Sequence, residues 1–147
     1  MRIVAVDASS DLMPAVYAVR HQVFVVEQAV PPALERDEFD AVAIHLVALR
    51  DDDDVVGTLR IVVSGRDAKI GRMAVLATER RRGIGAGLIT HAHEVARSMG
   101  VKEITLHAQL TAKEFYGKLE YCEEGDIFEE AGIAHVTMRK RMARLSG

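Results

Sequence analysis

Apolar positions change period several times along the chain, and each change marks an element. Residues 2–6 form a short β-rich run that reads as a first strand, and residues 7–10 are turn-like. Leu12, Val16, Val19, Val23 and Val26 then keep helical spacing, which predicts an amphipathic helix over residues 11–28. Ser10 or Asp11 is suited to cap it, and Pro14 is tolerated in a first turn. Residues 23–27 are β-branched and apolar nearly all round, which predicts deep burial. The run Val30-Pro31-Pro32 stops the helix. Residues 33–40 make an acidic loop or short helical segment, read either as a solvated surface loop or as a lid that attracts a cationic ligand.

Strand periodicity follows. Residues 44–49, 55–63 and 68–76 read as three strands joined by turns at 51–54 and 64–67, an antiparallel meander with Gly57 interrupting its second strand. The four aspartates at 51–54 read as a solubilising hairpin tip. A helix is expected over residues 83–98, with Ile84, Leu88, Ala92, Val95 and Met99 as its apolar stripe and Gly100 as its end. Residues 103–110 read as a strand, 112–119 as a short helix, 120–123 as short and extended, and 133–140 as a last strand before a basic tail. Helices lie between runs of strands, so the fold class is α+β or mixed α/β, a single domain over residues 1–147.

The junction between the meander and the long helix carries the chemistry. Three arginines, Arg80, Arg81 and Arg82, precede Gly83, Gly85 and Gly87. A helix start offers unpaired backbone N–H groups and the positive end of the helix dipole, and glycine lets a large anion approach them. A phosphate or pyrophosphate suits such a place. No Gly-Lys-Ser/Thr ends the loop, so it is not a Walker loop. The dinucleotide fingerprint expects an acidic residue about twenty positions on, closing a second βαβ strand, whereas Glu103 opens the next strand.

Composition narrows the alternatives. Hydrophobic residues make up 49% and charged residues 28% of the 147, as in a globular chain. A net charge of −3 excludes nucleic-acid binding driven by bulk charge, so the arginines are a local positive spot. Cys122 is the only cysteine, which excludes a disulfide framework and a cysteine-based metal site. The six histidines lack zinc-protease spacing, and no metal is expected. No stretch approaches a membrane span and the N-terminus lacks a signal peptide's form, so a soluble cytoplasmic protein without membrane partners is expected.

Taken together, the blocks resemble the GNAT superfamily of acyl-CoA-dependent N-acyltransferases. Its signature Arg/Gln-x-x-Gly-x-Gly/Ala is met by Arg80-x-x-Gly83-x-Gly85, and its later block is echoed by Gln109-x-x-Ala112-x-x-x-Tyr116-x-Lys118. The runs at 23–28, 69–72, 106–109 and 132–135 are similar to the ElaA-like subgroup. Two departures stand out. Gln109 replaces the commoner Asn, and Glu120-Tyr121 replaces Gly-Phe, which predicts a local change in the turn after the short helix.

The resemblance implies a mostly antiparallel sheet of six to seven strands, flanked by helices and splayed between strands four and five. It implies acetyl-CoA as co-substrate, with pantetheine paired to the backbone of Met73, Ala74 and Val75. The pyrophosphate would rest on the amides from Arg81 through Arg82, Gly83, Ile84 and Gly85 to Ala86, with Arg80 and Gly87 flanking them. An amide near Val75 would polarise the thioester carbonyl. Gln109 and Phe115 border the cofactor, and Tyr116 would protonate the departing thiolate.

The general base is open among Glu27, His45, His107 and His135, because the fourth strand offers no carboxylate. His107 is in phase with Thr105 and Gln109 and so faces away from the purely apolar set. His135 ranks slightly ahead of it, lying in a block characteristic of the subgroup. The expected acceptor is a primary amine of a small molecule or peptide, and the acidic residues 35–40 favour a cationic one. A non-catalytic acyl-CoA-binding module is the alternative. The final strand is expected to be exposed and available for homodimer pairing.

Overall fold

The computed structural model describes residues 1–142. The basic tail expected at the C-terminus therefore lies mostly outside the described residues. Seven strands form one sheet: β1 (Arg2–Val6), β2 (Ile44–Leu49), β3 (Val55–Ser64), β4 (Asp67–Val75), β5 (Glu103–Gln109), β6 (Cys122–Glu130) and β7 (Ile133–Arg141). Their order is β1-β2-β3-β4-β5-β7-β6. All neighbours are antiparallel except β4 and β5, which run parallel. The helices are α1 (Met13–Arg20), α2 (Pro32–Glu35), α3 (Ile84–Ser98) and α4 (Lys113–Lys118). None among the described residues is long and apolar enough to cross a membrane.

The expected splay is present. β4 and β5 are paired only from Asp67↔Glu103 to Ile70↔Leu106. Beyond those rungs, Gly71 to Val75 and His107 to Gln109 have no cross-strand partner between them. At the point of divergence Arg72 takes a left-handed φ of +53°, and the β3–β4 register shifts between Thr58 and Arg60. This is a β-bulge, which bends a strand and re-aims its backbone.

α3 packs its Ile84, Leu88, Ile89, Ala92 and Ala96 into the main core with Leu46, Leu59, Ile61, Ile70, Ile104 and Leu106. The predicted stripe holds at Ile84, Leu88 and Ala92, but Met99 is 48% exposed because the helix has ended at Ser98. Gly57 explains its own place in a central strand. A Cβ there would lie 3.1 Å from Ile84 Cγ2 and 3.3 Å from Leu88 Cδ1, so glycine lets α3 sit close on β3.

Several expectations are corrected. The helix of residues 11–28 is an α-helix only to Arg20, and His21–Glu27 continues it with π winding. The i→i+5 bonds change the phase, so Val23 stays buried while Val26 is 59% exposed. The residues after α4 are not a short extended piece but the start of β6, an acidic edge strand exposed on both faces. Its pairing with β7 is broken by a bulge between Glu124 and Phe128. β7 is consequently an inner strand, and the free edge on that side belongs to β6.

The acidic segment is neither solvated nor a free lid. Buried Arg20 donates hydrogen bonds to Asp40 at 2.7 and 3.1 Å, to Glu35, and to the Glu35 carbonyl. Arg60 donates to Asp37 at 2.6 and 2.8 Å and to Asp40 at 2.9 Å, and Arg72 donates to Asp37 and to the Leu34 and Glu35 carbonyls. Three guanidinium groups thus meet three carboxylates. Burial alone would raise the Asp40 carboxyl, but Arg20 and Arg60 hold it at about 2. With those charges matched internally, only Glu38 of this segment's acids stays exposed without an ion pair among the described residues.

The departure at Glu120-Tyr121 leaves the turn intact. Glu120 takes φ +71°, the left-handed conformation that glycine adopts freely, and Lys140 Nζ donates to the Leu119 carbonyl and to the Glu120 carboxylate.

Candidate active site

Three pieces of backbone converge at the splayed end of the sheet. The first is Met73, Ala74 and Val75, whose strand edge no longer meets β5. The second is the turn from Arg80 to Gly83, where Arg81 (φ +66°) and Gly83 (φ +80°) are both left-handed. The turn delivers the chain into α3 with no side-chain cap and no acidic residue in the first turn. The amides of Ile84, Gly85 and Ala86 are therefore the unpaired donors of a 15-residue helix. Ala86 is followed by Gly87, the first amide to bond back, to Gly83 O at 3.0 Å. The third is α4, which reaches the helix start through Phe115. Phe115 Cζ and Met73 Cε lie 3.4 and 3.6 Å from where a Cβ on Gly85 would stand.

The arginines divide by role. Arg80 donates to the Val75 carbonyl at 2.9 Å and pairs with Glu27, tying the loop to β4 and to the π-helix. Glu27, a base candidate, is thereby engaged as a counter-ion. Arg82 pairs with Glu79, which Arg50 also holds. Arg81 is exposed and has no ion pair among the described residues.

Tyr116 lies under the opening. Its hydroxyl donates to Met73 Sδ at 3.9 Å, and its ring packs edge-on against Phe115 and Tyr121. Burial pushes the Tyr116 phenol up to about 12.

Across the opening, the face of β5 turned away from α3 is polar, as its phase predicted. Gln109 donates to Gln28 Oε1 at 2.9 Å, bridging β5 to the end of the π-helix. His135 stands opposite Gln109 on β7, and Phe128 stands opposite His135 on β6. Phe128 stacks on His135 at 5.9 Å and meets His107 edge-on at 4.9 Å. Glu130 Oε2 lies 3.1 Å from His107 Nδ1 and 4.0 Å from His135 Nε2. Both histidines therefore share one face with one carboxylate. His45 does not join them: it is buried, and its Nε2 donates to the Asp40 carbonyl at 3.0 Å. That leaves it a structural residue of the ion network.

Sequence reading missed Gln28, Arg72, Phe128 and Glu130. The last two sit on the acidic edge strand, whose exposure on both faces gives no periodic signal. A wide hollow of about 940 Å³, lined by Arg66, Asp67, Met99, Lys102 and Glu103 among others, lies at the paired end of β4 and β5, away from all these groups.

The sheet thus opens between two parallel strands, with a glycine turn and a helix start at its mouth. The chain matches the family described as acetyltransferase (GNAT) domain over residues 7–142. It is 34% identical to YyaT of Bacillus subtilis over 147 residues, covering 98% of each chain. Among solved structures it is similar to an acyl-CoA N-acyltransferase from Pseudomonas aeruginosa, with 28% identity, a TM-score of 0.84, and 95% and 98% of the two chains covered. Escherichia coli ElaA shares 26% identity and a TM-score of 0.85, with 95% of this chain and 99% of that one covered. The protein belongs to the GNAT family, whose members use an acyl-CoA and an acceptor substrate.

Proposed function

We propose that the protein transfers an acetyl group from acetyl-CoA to a primary amine of a small molecule or peptide, by direct attack within a ternary complex. The carrying observation is the end of β4–β5 pairing at Ile70↔Leu106, which leaves Met73, Ala74 and Val75 as an unpaired edge beside the helix-start amides. Pantetheine would take the place of the missing strand, and the pyrophosphate would take the amides from Arg81 to Ala86. Arg81 is the side chain free to meet a nucleotide phosphate. The Val75 region would polarise the thioester carbonyl as negative charge develops on its oxygen.

Tyr116 is the donor aimed at the departing sulfur: burial keeps its phenol protonated, so it offers its O–H to the thiolate as the C–S bond breaks. The amine has the complementary problem. An alkylammonium near 10.4 is about 0.04% neutral at pH 7. A base on the His107–His135 face would take the amine proton as the C–N bond forms, when its acidity rises.

The test is release of free CoA from acetyl-CoA in a screen of polyamines, amino sugars, amino acids and peptides, alongside thermal stabilisation by acetyl-CoA. Saturation at about 100 times Kd would add about 2.7 kcal/mol of stability. Stabilisation without CoA release for any amine would instead support a non-catalytic acyl-CoA-binding module. Absence of both would reject the site.

A further inference from the structure

We propose that Glu130 and His135 together clamp the acceptor's amino nitrogen, His135 Nε2 taking its proton and Glu130 holding the charge that results. This rests on the acetyl-transfer reading above. Glu130 belongs to no recognised motif of the chain. It lies at the end of the edge strand β6, brought over the sheet face by the β6–β7 hairpin.

Hydrogen bonding fixes the His135 tautomer. Its Nδ1 is 2.7 Å from the Ile133 carbonyl oxygen, which can only accept, so Nδ1 carries the hydrogen. In the neutral ring Nε2 is then a lone pair, and it faces Glu130. The Nε2 to Oε2 separation of 4.0 Å is too long for a direct hydrogen bond. It is, however, the base of a triangle whose apex lies at about 2.8 Å from both atoms, ordinary hydrogen-bond length. A primary amine placed at that apex gives one N–H to Nε2 and the other to the carboxylate. Its lone pair remains free to attack. A secondary amine has only one N–H and leaves one partner unmet.

Position along the strands agrees. His135 stands opposite Gln109, the last residue of β5 at the splayed end, whereas His107 stands opposite Thr137, one step further in. His107 serves from behind. Its Nδ1 donates to the same Glu130 oxygen and fixes the carboxylate, and Phe128 packs on both rings. Nearby charges are engaged elsewhere: Arg139 of β7 pairs with Glu124 and Glu103, and Glu27 of the π-helix pairs with Arg80. Asp126 and Glu129 of β6 are exposed and have no ion pair among the described residues. Among the described residues, the ionic partner within 4.0 Å of His135 is Glu130.

The step balances. The amine lone pair forms the C–N bond while the thioester carbonyl takes the charge. One amine proton passes to His135 Nε2, and the imidazolium pairs with Glu130. The C–S bond then breaks with its electron pair on sulfur, hydrogen-bonded by Tyr116. His135 returns its proton to solvent, from which the thiolate is protonated.

The experiment has two arms. The first follows the histidine ring nitrogen resonances, which report the tautomer and its hydrogen bonds, by NMR without any substrate, in wild type, Glu130→Gln and Glu130→Asp. Glu130→Gln should move the His107 Nδ1 and His135 Nε2 resonances, and Glu130→Asp should restore part of the change. Unmoved resonances in Glu130→Gln would overturn the pairing. The second arm is kinetic. Glu130→Gln should raise KM for the amine about tenfold or more and leave KM for acetyl-CoA unchanged. His135→Gln should lower kcat on the order of 100-fold. An unchanged amine KM in Glu130→Gln, or full activity in His135→Gln, would overturn the clamp. A wild-type protein that releases no CoA with any amine defeats the acetyl-transfer reading instead, and the NMR arm reads the pairing regardless.

Discussion

Tyr116→Phe is the substitution whose consequences the structure fixes most tightly, because it separates three effects of one oxygen. The hydroxyl has a single partner, Met73 Sδ at 3.9 Å, a weak acceptor. Deleting it should change stability at neutral pH by no more than about 1 kcal/mol. High pH tells a different story. Tyr116 rises from 10.0 to about 12 on folding. A group with a raised folded pKa lends its stability below the unfolded value, and that stability is lost as pH climbs toward the folded one. Two units correspond to about 2.7 kcal/mol, of which about 2 kcal/mol is gone by about pH 11.5. The variant should lack that loss. Urea unfolding of both proteins at about pH 9 and about pH 11.5 reads the difference, together with the part of the neighbouring Tyr121 rise that is due to Tyr116. Catalysis supplies the third effect. Removing one donor aimed at developing charge lowers kcat on the order of 100-fold, while acetyl-CoA affinity holds. If the variant turns over at the wild-type rate, Tyr116 has no part in stabilising the thiolate. If both proteins weaken equally at high pH, the hydroxyl is not buried as described.

Other outcomes follow from single features. Glu120→Gly should stabilise the protein by about 1 kcal/mol in thermal unfolding, since glycine removes left-handed strain, the carboxylate lost is exposed, and Lys140 keeps the Leu119 carbonyl as a partner. Asp40→Asn should cost about 3–5 kcal/mol in denaturant unfolding, because it leaves buried Arg20 and Arg60 without their shared charge. In the wild type, Asp40 falls from 3.8 to about 2, so its contribution of about 2 kcal/mol is present above pH 4 and fades as pH drops toward 2. Arg81→Ala should weaken CoA binding about fivefold at low salt and dephospho-CoA binding much less, whereas equal losses in calorimetry would remove Arg81 from the 3′-phosphate.

What could be read from the chain was whatever left a period or a motif. The meander, the Arg80–Gly87 turn and the Ile84, Leu88 and Ala92 stripe are local patterns, and they reappear in the structure at the positions expected. The losses have physical causes. β6 is an edge strand wetted on both faces, so no alternation marks it, and the bulge after Glu124 breaks what register it has. The acids of residues 35–40 look like surface charge until Arg20, Arg60 and Arg72 arrive from three distant elements. π winding after Arg20 shifts the phase that a 3.6-residue period assumes. Glu130 meets its histidines only through pairing between β5, β7 and β6, which no short motif encodes.

Arg72 belongs to two structures at once. Its backbone makes the bulge that turns β4 away from β5, and its guanidinium holds the Leu34 and Glu35 carbonyls and Asp37. The strand edge that would carry the thioester and residues 33–40 are therefore riveted together through one residue. Any substitution that repositions residues 33–40 also pulls on the register of Met73 to Val75. Changes of acceptor that spare the donor end have to come from elsewhere, and the β6–β7 hairpin is the part of the site wall with an edge open to solvent. If the proposed site is right, rewriting that hairpin would alter the acceptor end while leaving the riveted edge at Met73 to Val75 in place.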